Sequence, residues 1–224
     1  MRCALVVIAA LGIGAGALAG ANTAPDVRLL QVHPGLLPLE VRILPESASA
    51  DARNQPHRIG RVEISRRGES KPFQTFEVTG YDPERLRSFS RSEDANFDGY
   101  ADLLLCHDGG AKWGGYEIYF YDPKSGFFIQ NELSRDMSEH LTGNSLDFHR
   151  ATGEIELTHL PVGCLNGFVA SETFVIQGSH LRKTGETVHL RAKEGCYAVT
   201  RRTRDGGGME EVSRERMPEL DRTD

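Results

Sequence analysis

The sequence predicts an all-β fold in which antiparallel sheets form a sandwich or a partial β-propeller. Three observations favour this class. Short runs that alternate apolar and polar residues recur along the chain, and turn sequences with Gly, Pro or Asp separate them about every ten residues. Only residues 134–141 have a helical pattern, with Ser134 as the expected N-cap.

The predicted strands begin with a run in which Leu39, Val41 and Ile43 alternate with charged residues. The apolar run 103–106 indicates a buried strand. Two later aromatic runs flank the turn 122–126, Asp-Pro-Lys-Ser-Gly, which is a typical hairpin sequence. The predicted strands cover residues 39–44, 58–65, 72–79, 102–106, 116–121, 127–133, 146–149, 154–158, 171–176, 180–183 and 187–192, with an extension to residue 200.

The chain divides into four predicted segments. Residues 1–21 predict a signal peptide, and residues 22–56, rich in Pro, Ala and Ser, predict an extended lead-in. Residues 57–200 contain most of the strand patterns and form the predicted all-β domain. Residues 201–224 are charged and nearly free of apolar side chains, so we expect a disordered tail.

The signal peptide is indicated by Arg2, followed by an apolar stretch and small residues near position 21. Three glycines in the stretch and the lack of a basic flank argue against a membrane anchor. Cys3 precedes the apolar core, so a lipoprotein is not indicated. We therefore expect a monomer in the periplasm or outside the cell, without a membrane anchor after cleavage.

The charge balance argues against nucleic acid as a partner. The chain has 26 basic and 32 acidic residues, and cleavage removes only Arg2, which leaves 25 against 32, a net charge of −7. Such a chain would be repelled by phosphates. A cationic partner fits better, because complementary charge raises the encounter rate.

The segment 94–102, Asp-Ala-Asn-Phe-Asp-Gly-Tyr-Ala-Asp, has the spacing of a calcium-binding loop. Its glycine at the sixth position permits the sharp turn that such a loop needs. A divalent cation would relieve the repulsion between its three carboxylates, whereas the alternative is a solvated Asx turn. The predicted ligands are the side chains of Asp94, Asn96 and Asp98, the backbone carbonyl of Tyr100, and the side chain of Asp102, directly or through water.

A calcium sensor of the helix-loop-helix type is not expected. Such a loop needs a bidentate Glu at its twelfth position, where this chain has Leu105. Loops of this form resemble those of β-propeller FG-GAP repeats, in which the ion stabilises the loop that leads into a strand. We therefore expect a calcium ion with a structural role.

Three cysteines remain after signal cleavage: Cys106, Cys164 and Cys196. An oxidising compartment favours one disulfide, and we expect Cys164 to pair with Cys196, since both lie near glycines at strand ends. The sequence leaves Cys106 open as a partner. Thiolate metal binding is not expected, because no close cluster of Cys and His exists.

No catalytic constellation is visible in the sequence. The eight histidines are scattered, and Ser171 lacks the glycines of a nucleophile elbow. Glu154 and Glu156 share one face of a predicted strand, where solvated carboxylates are common. We therefore expect a protein that is not an enzyme.

A glycine-rich loop follows the buried strand. Residues 107–116 hold four glycines, a lysine, a tyrosine and the only tryptophan of the chain. Aromatic residues on such loops are typical binding anchors, because they offer a large contact area. The alternative is that Trp113 packs back onto the core.

Segments 94–105 and 116–128, with the loop between them, resemble bacterial secreted proteins that include immunity proteins against lysozyme-like effectors of type IV secretion systems. Those proteins are similar in architecture to periplasmic inhibitors of i-type lysozyme. The resemblance covers residues 92–183 and implies that the loop enters a lysozyme cleft, although the inhibitor motif begins with Ser where Gly109 stands. The implied contact residues are Gly109, Gly110, Lys112, Gly115 and Tyr116, to which we add Trp113 because it is aromatic.

Two functions follow from these observations. The leading hypothesis is a periplasmic inhibitor or immunity protein that blocks a lysozyme-like peptidoglycan hydrolase by loop insertion and is stabilised by structural calcium. The alternative is a calcium-stabilised binding or adhesion module for a saccharide or a cell-envelope protein.

Overall fold

The computed structural model describes residues 26–46, 57–80, 86–87, 90–108, 115–143, 145–159, 167–204 and 206–217. The predicted signal peptide lies outside these ranges, as do Gly109, Gly110, Lys112, Trp113 and Cys164. No helix in the described ranges is long and apolar enough to cross a membrane.

The described chain folds into three antiparallel sheets and one helix. The first sheet contains β1 (Asp26–Leu30), β2 (Leu39–Pro45), β3 (His57–Arg66) and β4 (Gln74–Gly80). The central sheet contains β5 (Arg91–Glu93), β6 (Asp102–Asp108), β7 (Gly115–Asp122) and β8 (Phe127–Ile129). After α1 (Glu132–His140), the third sheet contains β9 (Ser145–His149), β10 (Glu154–Thr158), β11 (Phe168–Gln177), β12 (His180–Ala192), β13 (Gly195–Thr203) and β14 (Met209–Arg216).

Within each sheet, strands that follow one another in the chain are also neighbours in space. Short turns are sufficient for such connections, because each pair is antiparallel. None of the three sheets closes into a barrel over the described residues. The predicted all-β class is confirmed, and the sandwich form of it fits.

The central sheet is covered on both faces. Leu103 and Leu105 of β6 pack in a core cluster with side chains of the first sheet, such as Val41. Leu104 and Cys106, which point the opposite way, pack with α1 and the third sheet. A strand that is buried on both faces needs apolar residues at successive positions, which explains the continuous run at 103–106.

The predicted lead-in is part of the folded core. β1 and β2 pair with each other and with β3. Val32, Val41 and Ile43 are buried in the core between the first and central sheets. The prediction of an extended lead-in before residue 57 is therefore wrong for the described part of that segment.

The predicted disordered tail is also wrong for residues 201–204 and 206–216. Residues 201–203 continue β13, and β14 pairs with it in antiparallel register. β14 is almost entirely exposed, so its register depends on backbone hydrogen bonds and on ion pairs rather than on apolar burial. Arg204, which follows β13, pairs with Glu210 of β14 at 2.6 Å, whereas the pair of Arg214 with Glu211 at 2.9 Å lies within β14 and does not set its register.

The N-cap of the helix lies three residues before the predicted N-cap, Ser134, which is instead the third helical residue. Asn131 is its N-cap and accepts a hydrogen bond from the Ser134 amide, while the Ser134 hydroxyl accepts one from the Asn131 amide. Asp136 accepts a hydrogen bond of 2.7 Å from the amide of Leu181 in β12. Burial alone would raise the pKa of Asp136, but this hydrogen bond and the contact with His180 lower it below the ordinary value.

Two of the cysteines lie in described ranges. Cys106 is a buried thiol in the core between the central and third sheets. Cys196 lies near the start of β13. The pair of Cys164 with Cys196 stays a prediction, since Cys164 is not described.

Replacing Asp136 by Ala should lower the free energy of unfolding by about 1–3 kcal/mol, because the Leu181 amide loses its acceptor. Urea denaturation followed by circular dichroism measures this change. The matched control is Glu139→Ala, which removes an exposed carboxylate from the same helix. Equal effects of the two changes would show that Asp136 does not fasten the helix to β12.

Candidate calcium loop and central hairpin

Residues 94–102 join β5 to β6 and form a chain of tight turns. The Asp94 carboxylate accepts a hydrogen bond of 3.1 Å from the Gly99 amide. Asn96 Oδ1 accepts one from the Asp98 amide at 3.1 Å, and Asp98 Oδ1 accepts one from the Tyr100 amide at 2.9 Å. These turns hold side-chain oxygens at the first, third and fifth positions of the loop, residues 94, 96 and 98, against backbone amides of the same loop. Gly99, with a φ of 96°, has the left-handed conformation that the sequence predicted for this position.

Asp102 is fully buried at the start of β6. Its carboxylate accepts hydrogen bonds of 2.9 Å from the amides of Ala95 and Tyr121, so it ties the loop to β7. Burial raises the pKa of Asp102 to about 7, although the two amides oppose this rise. The geometry therefore makes Asp102 a structural acceptor, with both oxygens already engaged.

Aromatic side chains hold the loop on two sides, which the sequence analysis did not foresee. Phe97 has a φ of 62°, unusual for a residue with a side chain, and its ring meets Phe148 of β9 edge to face at 6.4 Å between centroids. Tyr100 lies against His33, at 4.9 Å, and against Tyr121, at 5.7 Å. The periodicity and composition of the loop do not reveal such contacts, because the partners lie far along the chain from it.

One observation shows that the loop suits a hard cation. Oδ1 of Asp94 is buried and has no hydrogen-bond partner within the described residues. A buried carboxylate oxygen of this kind is satisfied by a cation that prefers oxygen ligands, such as calcium. The donors that fit are Asp94, Asn96, Asp98 and the carbonyl of Tyr100. The described residues contain no ready-made group of three His, Cys, Asp or Glu side chains for a metal. The oxygens of Asp102 accept backbone amides, and its part in the site, directly or through water, stays a prediction.

The glycine-rich loop joins β6 to β7, and its two ends are described. Asp108 lies opposite Gly115, and Cys106 lies opposite Tyr116. Tyr116 is 8% exposed and packs in the core between the central and third sheets, where the Arg91 guanidinium lies 5.8 Å from its ring centre. A partner therefore cannot stack on Tyr116 in this structure, which contradicts its predicted role.

The calcium loop and the glycine-rich loop lie at opposite ends of β6. Asp102 begins this strand and Asp108 ends it, a separation of about 20 Å for an extended chain. The two features are close in the sequence, but the length of β6 separates them in space. A cation at the first loop would therefore act on the second only by stabilising the strand between them.

A row of hydroxyl side chains crosses the third sheet on the face that points away from the core. The residues that neighbour Ser145, Thr158 and Ser171 in their strands, such as Leu146 and Leu157, belong to the core on the other face. The hydroxyls of Thr158, Ser171 and Ser213 make no hydrogen bond within the described residues. Directly paired positions in the six strands form this row: Ser145, Thr158, Ser171, Thr187, Thr200 and Ser213.

The opposite face of the same strands carries an ion network. Lys183 donates hydrogen bonds of 2.7 Å to both Glu172 and Glu186, and His159 lies 3.1 Å from Glu172. Burial alone would raise the pKa of Glu172, but Lys183 and His159 outweigh it and lower the pKa. A carboxyl that is held in its ionised form is poorly suited to donate a proton.

Comparison with known proteins gives one match. No protein-family model matches the sequence, and no curated protein matches it. Among solved structures, the fold is similar to that of a Xanthomonas type IV secretion system related protein. The two chains are 14% identical, with a TM-score of 0.48, and the match covers 85% of this chain and 99% of the other. A likeness of this size supports no statement about function.

In the absence of calcium, the protein should become less stable as the pH rises from about 4 to 7. The folded protein raises the pKa of Asp102 from 3.8 to about 7, so folding favours the protonated carboxyl. The contribution of Asp102 to the free energy of unfolding is fully present below pH 3.8 and is lost as the pH rises through about 7. Its upper limit is about 4 kcal/mol.

Thermal unfolding in a chelator at several pH values tests this expectation. Asp102→Asn should flatten the slope of the melting temperature against pH, since an amide does not titrate in this range. The slopes of melting temperature against pH are compared, and not the absolute stabilities. The side-chain oxygen of the introduced Asn can replace only one of the two Asp102 oxygens as an acceptor, so the variant should also be less stable at every pH. An unchanged slope in the variant would assign the pH dependence to other residues.

Proposed function

We propose that this chain is a periplasmic or secreted protein that inhibits a lysozyme-like peptidoglycan hydrolase, with a calcium ion in a structural role. The inhibitor places the loop 109–114 in the active-site cleft of the enzyme and carries out no reaction itself. The observation that carries the proposal is the position of this loop between β6 and β7, the two longest strands of a sheet that is buried on both faces.

A buried hairpin is a favourable support for an inhibitory loop. Binding a partner costs free energy when the contact residues must first be ordered, and rigid flanking strands reduce this cost. Gly115, which follows the loop in the chain, is buried where β7 begins. Lys112 and Trp113 are the side chains that we assign to the contact, in place of the buried Tyr116.

The chemistry of these two residues suits the proposed target. Glycosidases use a pair of carboxyl groups in their clefts, which a lysine ammonium would meet with opposite charge. The tryptophan ring would occupy the place of a sugar ring, as a large apolar anchor. The excess of acidic residues in the chain would favour the encounter with a basic enzyme.

The calcium ion belongs to the loop before β6 in this proposal. Asp94, Asn96, Asp98 and the carbonyl of Tyr100 would hold it, and it would neutralise the carboxylates that crowd this loop. The buried and unpartnered Oδ1 of Asp94 supports this assignment. The ion would stabilise the start of β6 and, through that strand, the hairpin.

The hydroxyl row favours a second candidate function, a module that binds a saccharide of the cell envelope. Six hydroxyl positions at the spacing of neighbouring strands extend over about 24 Å. Threonine side chains have few rotamers, so they offer hydroxyl and methyl groups in fixed positions. A linear glycan also presents both hydroxyl groups and apolar ring faces along its length, which could contact these hydroxyl and methyl groups.

Inhibition is tested with the mature protein and a panel of lysozymes and lysozyme-like effectors acting on purified peptidoglycan. We expect the wild-type protein to slow lysis by at least one of these enzymes. Trp113→Ala should raise the inhibition constant about 30-fold or more, as expected for a central anchor, and Lys112→Ala should raise it less. Full inhibition by both variants would exclude this loop as the contact.

Stability measurements on the same variants complete the test. Trp113→Ala should leave the free energy of unfolding nearly unchanged if this side chain serves the partner. Tyr116→Ala should lower it by about 3 kcal/mol, because a large ring is removed from the core. A loss of stability in Trp113→Ala as large as that in Tyr116→Ala would indicate that the tryptophan packs on the core.

Saccharide binding is tested by sedimentation with purified peptidoglycan in the absence of any hydrolase. If the hydroxyl row binds glycan, the wild-type protein should be retained, and the double variant Thr187→Val and Thr200→Val should lose most of this retention. Valine keeps the shape and removes the hydroxyl. The matched control changes the exposed Thr75 and Thr79 of β4 to Val. Equal retention of both double variants would exclude the row.

A further inference from the structure

The guanidinium of Arg150 contacts the loop that we assign to calcium. Arg150 lies in the turn between β9 and β10, in the third sheet, whereas the loop belongs to the central sheet. Its Nη2 is 3.0 Å from Oδ2 of Asp94. The same nitrogen would be 3.4 Å from a Cβ built on Gly99, so the guanidinium lies directly over the turn of the loop.

Asp94 is the residue that both the proposed cation and the Arg150 guanidinium would contact. One carboxylate oxygen accepts from the Gly99 amide and pairs with Arg150, and the other is buried without a partner among the described residues. A divalent cation on this carboxylate would withdraw the negative charge that attracts Arg150. It would also repel the guanidinium directly, because like charges would lie a few ångströms apart.

We infer that Arg150 is an internal counter-ion that competes with the divalent cation for Asp94. This inference rests on the proposed calcium site. Without the cation, Arg150 neutralises Asp94 and links the third sheet to the loop of the central sheet. With the cation bound, this link is released, so the affinity for the ion and the strength of the link depend on each other reciprocally.

The competition should be modest and readily reversible. The Arg150 side chain is 68% exposed and that of Asp94 is 16% exposed, so solvent screens the pair. Exposed ion pairs of this kind change an equilibrium by about two- to fivefold. The contact of Phe97 with Phe148 does not depend on charge and would keep the third sheet against the loop after Arg150 is released.

The experiment is a calcium titration by calorimetry on the mature protein. Arg150→Gln, which keeps a polar side chain without charge, should bind calcium about two- to fivefold more tightly than the wild type. Arg150→Lys should remain close to the wild type. The matched control is Arg204→Gln, an exposed arginine that pairs with Glu210 far along the chain from the calcium loop. This control measures the effect of losing one positive charge anywhere on the protein.

Thermal unfolding gives a readout that does not depend on measured affinity. In a chelator, Arg150→Gln should melt below the wild type, and the difference should vanish in saturating calcium. If Arg150→Gln binds calcium no more tightly than Arg204→Gln does, Arg150 does not compete with the cation for Asp94. This outcome would leave the calcium site itself in place. Failure of every variant and of the wild type to bind calcium would overturn both the site and the competition.

Discussion

The burial of one small sheet on both of its faces is the constraint on which the rest of the structure depends. β6 contributes Leu103 and Leu105 to one core and Leu104 and Cys106 to the other, so the two cores share a single strand. Neither the first nor the third sheet could bury its apolar face without this central layer. This constraint explains the order of the strands, because each outer sheet is a meander that packs on one face of the β6–β7 hairpin.

Asp102 secures the position at which the chain enters this strand. A carboxylate between two cores is unfavourable unless its oxygens are satisfied, and amides on either side of the strand satisfy both. The same burial explains the raised pKa. The loop before β6 is thus held by a buried acceptor and by aromatic contacts to both outer sheets.

The two ends of β6 carry different features. The loop at its start contains several carboxylates and contacts an arginine of the third sheet. One carboxylate oxygen is buried without a partner among the described residues, which fits the cation that we propose to stabilise this loop. The loop at its end carries the residues that we assign to a partner. A strand of fixed length keeps the two regions about 20 Å apart, so stability and recognition can change separately. The hydroxyl row on the third sheet is a separate surface.

The sequence by itself determined the fold class, most strands and the turn at Gly99, since alternation, turn residues and backbone freedom are local properties. It did not determine β1 or β14, whose pairing depends on partners elsewhere in the chain. Only the tertiary structure decided that Tyr116 faces the core and that Asp102 serves the backbone. The physical reason is that burial and hydrogen-bond partners arise when distant strands pack, and spacing along the chain does not encode them.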